Sequence, residues 1–370
     1  MKRALAGMAI VVSACAAGTN SAHAAPMDDA AQVLRAALDE GVGGLGYPGA
    51  IGLLRRGEQV QRVGVGVGDL VAGTAADPGA PVRIGSITKM FVATVLLQLI
   101  SESKVSLDDT VERWLPGVVR GNGHAGERIR VRHLLENTSG MVTYDRDPAF
   151  SALYAADADP HRVWEPRELV EISTASPPYA EPGVKQVYSN TDFVLAAMVI
   201  EAATGHSAEA EIQSRIVTPL GLRHTFFPRS AEAGPDWLRG YFLVRDVTVS
   251  NPTIHGAAGA MVSTLDDLAV FAGAQQDGRL LAPAQLSLLR STFHEQGRDT
   301  GFGMGIYRWD SACGPVWVKY GAVLGYFSGV ATSDSGDKQV VLVANEYHLL
   351  SDSPTVVHLA AALERVFCAF

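Results

Sequence analysis

The sequence predicts an α/β (α+β) fold: an antiparallel sheet flanked by helices and built from both chain termini, with an inserted, mostly helical lobe. Three observations predict it. Residues 48–57 and 61–69 read as two strands around a Gly-centred turn. Helical periodicity then dominates from Ser86 to about Leu280, and four short strand-like runs follow before a closing helix. A chain of 370 residues, 47% hydrophobic, exceeds the size at which one core keeps growing, so two lobes are expected. The α/β lobe takes about 25–100 and 281–370, and the helical lobe about 101–280.

The first element is a leader. Lys2 and Arg3, an uncharged run from Ala4 to Ala17, and Ala22-His23-Ala24 have the regions of a secretory signal peptide, residues 1–24. Val12-Ser13-Ala14-Cys15 offers a competing lipoprotein site that would anchor the chain through Cys15. The expected location is extracellular, and no segment is long and apolar enough for a stable membrane span. Loss of the leader moves the formal charge from −9 to −11, which argues against nucleic acid and anionic membranes as partners. Two cysteines remain, Cys313 and Cys368, and an even pair in an oxidising compartment reads most simply as a disulfide. Neither has a histidine or second cysteine at zinc-ligand spacing.

Residues 28–42 alternate in helical period. Gly64, Gly66 and Gly68 read as strand glycines, because their spacing misses the dinucleotide-loop pattern and no helix opens there. The run from Met90 to Ile100 is uncharged and reads as a buried helix, preceded by Ser86 and Lys89. Three residues are nearly one helical turn, so the hydroxyl and the amine share a face. A serine needs a base to attack a carbonyl, and an amine supplies one only if burial and the helix dipole favour its neutral form. Further helices are read at Leu107–Val111, Val131–Leu135, Asp192–Ile200 and Leu265–Phe271.

Glu181-Pro182-Gly183 marks a turn, after which Tyr188 and Asn190, two apart in an extended loop, can face one site. Tyr188 is a candidate acid or base; Asn190 is a candidate to orient Lys89 or hold a substrate amide. The returning strands are read at Gly303–Trp309, Val316–Tyr320, Tyr326–Thr332 and Gln339–Asn345, with a final helix at Thr355–Phe367. Lys319 and Gly321 would share one side of the second of these, where a glycine admits close approach of a substrate or another backbone.

Ser86-Ile87-Thr88-Lys89, Tyr188-Ser189-Asn190 and Lys319-Tyr320-Gly321-Ala322 together resemble the three motifs of the penicillin-recognising serine enzymes. The Tyr-x-Asn form resembles the branch holding class C β-lactamases, soluble D-alanyl-D-alanine carboxypeptidases and related esterases and D-amidases. His133 to Met141, Thr218 to Leu222 and Gly259 to Thr264 with Asp267-Leu268 look like stretches of that branch. Among these the chain resembles the soluble actinomycete-type carboxypeptidases, which also place a cysteine pair where Cys313 and Cys368 stand. The resemblance implies a β-lactamase/transpeptidase-like fold, with Ser86 as nucleophile and Lys89 and Tyr188 sharing the proton traffic; either could be the base. It implies an oxyanion hole from the backbone N–H groups of Ser86 and Ala322, and substrate contacts from Lys319, Tyr320, Gly321 and the position of Tyr307.

The departures concern the substrate. The carboxypeptidases read His-Thr-Gly-Thr at the third motif, so two hydroxyls that would hold a terminal carboxylate are missing at 320 and 322, and an arginine of those enzymes is Tyr307 here. The expected function is a secreted serine hydrolase or acyl-transferase of D-alanyl-D-alanine carboxypeptidase type, acting on D-amino-acid peptides through a Ser86 acyl-enzyme. Esterase, β-lactamase, D-amidase and peptide-cyclising acyl-transferase are alternatives on the same site. A penicillin-binding or cell-wall-binding protein without turnover is the alternative of another class. The partner is thus a peptide or β-lactam small molecule; no metal or cofactor is implied, and the acyl acceptor and oligomeric state stay open.

Overall fold

The computed structural model describes residues 26–299, 301–347 and 353–370. The segment read as a leader, with Cys15, lies outside the described residues. A seven-stranded antiparallel sheet forms the frame, from β1 (Gly49–Arg56), β2 (Gln59–Asp69), β3 (Thr74–Ala75), β4 (Tyr307–Ser311), β5 (Gly314–Val323), β6 (Tyr326–Ser333) and β7 (Lys338–Ala344), in the order β4-β5-β6-β7-β1-β2-β3. The N-terminal hairpin joins the C-terminal meander through β1 and β7, in register from Ala50↔Ala344 to Arg56↔Lys338. Both termini therefore build one sheet, as the strand-like runs at the two ends of the sequence predict.

Each face is covered because each is apolar. The helices α1 (Met27–Glu40) and α6 (Pro354–Cys368) bury Leu34, Leu38, Leu363 and Val366 against Val318, Val340 and Leu342. On the opposite face Ile51, Leu53, Val341 and Val343 join a core with α2 (Thr88–Ser101), α3 (Val131–Leu135), α4 (Asn190–Thr204) and α5 (Leu265–Gln276). α2 is buried nearly all round, from Thr88 through Leu97, so its capless N-terminus is set deep in the protein. Among the described residues no helix is long and apolar enough to cross a membrane.

Two elements differ from the sequence reading. At 107–110 the chain turns: the Ser106 N–H donates to Asp109 Oδ2 (2.9 Å) and the Asp108 N–H to Ser106 Oγ (3.2 Å). These short polar side chains capture backbone donors locally, so the helix is delayed to Val111–Trp114, capped by Thr110. Residues 303–306 are not part of a strand, because Met304 and Gly305 donate their amides to the carbonyls of Leu289 and Leu135. β4 consequently starts at Tyr307 and extends to Ser311.

Cys313, in the turn between β4 and β5, is disulfide-bonded to Cys368 at the end of α6, with Cα atoms 5.4 Å apart. The cross-link closes a loop of 55 residues, for which the chain-entropy relation gives about 4 kcal/mol. Cys313→Ser is expected to lower the unfolding free energy from urea titration by up to that amount, and reductant should reproduce the loss in the parent chain but not in the variant.

Candidate active site

Ser86 lies in a short 3-10 turn, Gly85–Ile87, that runs directly into α2. A 3-10 turn eclipses residues three apart, and Lys89 Nζ lies 2.9 Å from Ser86 Oγ. The turn is possible because Gly85 is left-handed, at φ 51°, and because a Cβ there would stand 2.6 Å from the backbone nitrogen of Ala322. Gly321 works in the same way: its Cβ would lie 1.9 Å from the Ile84 carbonyl oxygen. That glycine admits the nucleophile's own backbone, so its place is in docking the Ser86 turn onto β5. Ser328 Oγ completes the seam by donating to the Ile84 carbonyl at 3.1 Å.

Tyr188 and Asn190 leave an extended segment that ends at the α4 N-cap, Ser189, and both reach the same point. Tyr188 Oη is 2.5 Å from Ser86 Oγ, and Asn190 Oδ1 accepts from Lys89 Nζ at 2.7 Å. The loop after α3 holds this segment. Val187 N–H donates to the Asn137 carbonyl (2.9 Å), while Asn137 Nδ2 donates to the Ser189 carbonyl (3.0 Å) and to Asp192 (2.9 Å). Ser139 Oγ adds a second bond to Asp192 at 2.5 Å, and burial raises that carboxyl to about 7.

Lys89 is fully buried and makes a third contact, donating to the Ala258 carbonyl at 2.6 Å. Desolvation holds its pKa well below that of a free amine, reinforced by the nearby Lys319 and opposed by Asp145 and Asp192. A neutral amine has two N–H donors and one lone pair. The carbonyl oxygens of Asn190 and Ala258 can only accept, so they take both hydrogens and leave the lone pair for the Ser86 hydroxyl. Tyr188 has the opposite bias: burial pushes its phenol well above the usual tyrosine range. A phenol held in its neutral form can donate to Ser86 Oγ, 2.5 Å away.

Lys319 Nζ, also buried, is enclosed by the rings of Tyr307 (5.1 Å), Tyr188 (5.5 Å) and Phe302 (5.5 Å), and desolvation lowers it to about 7. Its amine sits behind aromatic surface. Tyr307, Lys319, Tyr320 and Ala322 all line, with Ser86, Tyr188 and Asn190, one cleft of about 770 Å³. The structure thus gathers every catalytic and oxyanion position expected from the sequence, leaving Gly321 behind the cleft wall.

Several cleft residues carried no sequence signal. Asp145 accepts from Asn190 Nδ2 at 3.0 Å, which fixes the amide so that its oxygen faces Lys89. Tyr154 Oη accepts from the Leu324 N–H (2.6 Å) and shares a hydrogen bond with His255 Nε2 (2.8 Å), tying the end of β5 to the loop that presents Ala258. Burial with nearby cations holds His255 neutral, at about 3. Asn190→Asp should set a carboxylate beside Lys89 and raise its pKa. The acidic limb of the pH–rate profile is expected to move to higher pH, and the rate at pH 7 to fall by about 10²-fold; steady-state rates from pH 5 to 10 check this.

A family model described as Beta-lactamase matches residues 34–363. The chain belongs to the beta-lactamase family. Membership makes it a penicillin-recognising serine hydrolase with the β-lactamase/transpeptidase-like fold. Among solved structures, this family member is similar to a D-stereospecific amidohydrolase from Streptomyces sp., at 37% identity and TM-score 0.81 over 88% of this chain and 97% of that one. It is also similar to the D-amino acid amidase of Ochrobactrum anthropi SV3, at 25% identity and TM-score 0.80 over 92% and 98%. Penicillin-binding protein 4* of Bacillus subtilis is 30% identical over 145 residues, which span 39% of this chain and 30% of that protein. The putative penicillin-binding protein PbpX of the same organism is 24% identical over 81% of this chain and 71% of its own length.

Proposed function

We propose that this beta-lactamase family member is an exported serine amidohydrolase that cleaves D-amino-acid amides and peptides through an acyl-enzyme on Ser86. The observation that carries the reading is the fully buried Lys89 amine, 2.9 Å from the Ser86 hydroxyl, whose charged form desolvation disfavours. In acylation Lys89 takes the Ser86 proton as Oγ adds to the substrate carbonyl, and the oxyanion forms between the backbone N–H groups of Ser86 and Ala322. The C–N bond breaks as Tyr188 gives its phenolic proton to the leaving amine, and the Lys89 ammonium restores that proton. Water then enters, and the same groups run the sequence in reverse to release the acid.

The preference for D-amino-acid amides is supported by the likeness to the Streptomyces amidohydrolase and by the lack of a fixed carboxylate anchor. No guanidinium stands at Tyr307, no hydroxyl at Ala322, and Lys319 is caged by rings. Lys319 also favours a second reading, D-alanyl-D-alanine carboxypeptidase, because a substrate carboxylate beside it would restore its charge. A panel of D-alanine amide, L-alanine amide and a D-Ala-D-Ala peptide separates them. Cleavage of the D-amide at least about 10²-fold faster than the L-amide is expected, as a misplaced acyl group loses near-attack geometry. Release of D-alanine from the peptide with no turnover of D-alanine amide would overturn the first reading in favour of the second. Export is checked by N-terminal sequencing of secreted material, expected to begin at Ala25.

A further inference from the structure

The wall of the cleft at the β4–β5 edge is aromatic. Tyr307 and Trp309 on β4 and Tyr320 on β5 all line it, with the rings of Trp309 and Tyr320 5.7 Å apart and Tyr320 stacked in turn on Phe327 at 5.7 Å. Trp309 and Tyr320 are half-buried: both line the cleft and both pack on the core under α6. The rings are held by packing, so they offer an ordered apolar surface at little entropic cost on binding.

The chemistry places one end of the substrate against that wall. In the acyl-enzyme reading the proton donor for the departing nitrogen is Tyr188, so the leaving amine departs within reach of Tyr188 Oη. Tyr188 and Tyr307 both flank Lys319 Nζ, at 5.5 and 5.1 Å. The surface next to Tyr188 is therefore the start of the aromatic wall, which continues through Trp309 to Tyr320.

We propose that Tyr307, Trp309 and Tyr320 form a leaving-group subsite that selects amines bearing an aromatic or bulky apolar substituent. The proposal rests on the acyl-enzyme reading above and names the substrate class within it. A substituent that fills this surface gains contacts during acylation, whereas a methylamine leaves the rings in water.

The test compares D-alanine benzylamide with D-alanine methylamide, whose acyl parts are identical, using the mature protein and its Trp309→Ala and Tyr320→Thr variants. The benzylamide is expected to show kcat/KM about tenfold or more higher, the scale of an apolar pocket contact. Each variant should lower the benzylamide value about tenfold more than the methylamide value. Equal kcat/KM for the two amides, or a parallel fall of both in the variants, would overturn the subsite. Acylation of Ser86 by D-alanine methyl ester, followed by mass spectrometry, keeps the two readings apart. A labelled Ser86 with equal amide rates removes the aromatic subsite alone, and an unlabelled Ser86 with no amide turnover removes the acyl-enzyme reading itself.

Discussion

Ser86→Ala is expected to abolish covalent labelling by a fluorescent penicillin and to lower kcat/KM by about 10⁴-fold or more, as loss of a nucleophile does in comparable hydrolases. The size follows from the geometry. Lys89 Nζ and Tyr188 Oη both converge on Oγ, at 2.9 and 2.5 Å, and neither has another electrophile-facing group to activate once Oγ is gone. Alanine removes one atom from a half-buried turn, leaving the Gly85 and Gly321 contacts with β5 untouched, so the variant should fold with an unchanged urea midpoint. Intact-mass measurement after exposure to a β-lactam reads the result directly. An adduct of undiminished stoichiometry on the variant would put the nucleophile elsewhere and end the mechanism proposed above.

Lys89→Met is expected to cost about 10³-fold in kcat, the range for a positioned general base, and Lys89→Arg should not rescue it. Arginine remains charged throughout and its fork cannot present a lone pair to Ser86. In the parent chain the active form is the neutral amine. Activity should therefore be full above the depressed Lys89 pKa and fall as pH drops through it. The same group leaves a mark on stability. Between the depressed folded value and the unfolded value near 10.4, the unfolded chain binds the extra proton, so folding stability rises with pH across that window. Lys89→Met should reduce that slope, in urea unfolding measured from pH 6 to 10, to the part that Lys319, lowered to about 7, and Lys338, lowered to about 8, supply, while Ser86→Ala keeps it whole. A parent pH–rate profile flat from pH 5 to 10 would contradict the assignment of Lys89 as the base.

How much of this was legible depended on how local the information is. Ser86 and Lys89 are three residues apart on one turn, and Tyr188 and Asn190 are two apart in extended chain, so spacing alone predicts that each pair shares a side. The antiparallel sheet was legible too, since short apolar runs bounded by turn residues stand at 48–69 and after 314, at the two ends of the chain. Elements were misread where local polar bonds compete with periodicity, as at Ser106 to Thr110, and where backbone donors are drawn off to distant carbonyls, as at Met304 and Gly305. Gly321 was read correctly as a point of close approach, but spacing could not say that the approaching group is the Ile84 backbone.

The amino-acid order by itself determined the types of chemical group available and their short-range pairing: a hydroxyl with an amine, a phenol with an amide, a lysine on a strand beside a glycine. Only the tertiary structure decided their protonation states and partners, because these depend on burial and on atoms far away in sequence. The Ala258 carbonyl, 169 residues from Lys89, is a backbone group with no side-chain signature, yet with Asn190 it takes both amine hydrogens and turns the lone pair to Ser86. Asp145 likewise fixes the Asn190 amide from 45 residues away. Desolvation, which lowers the Lys89 pKa and raises that of Tyr188, is a property of the closed fold and of no single segment.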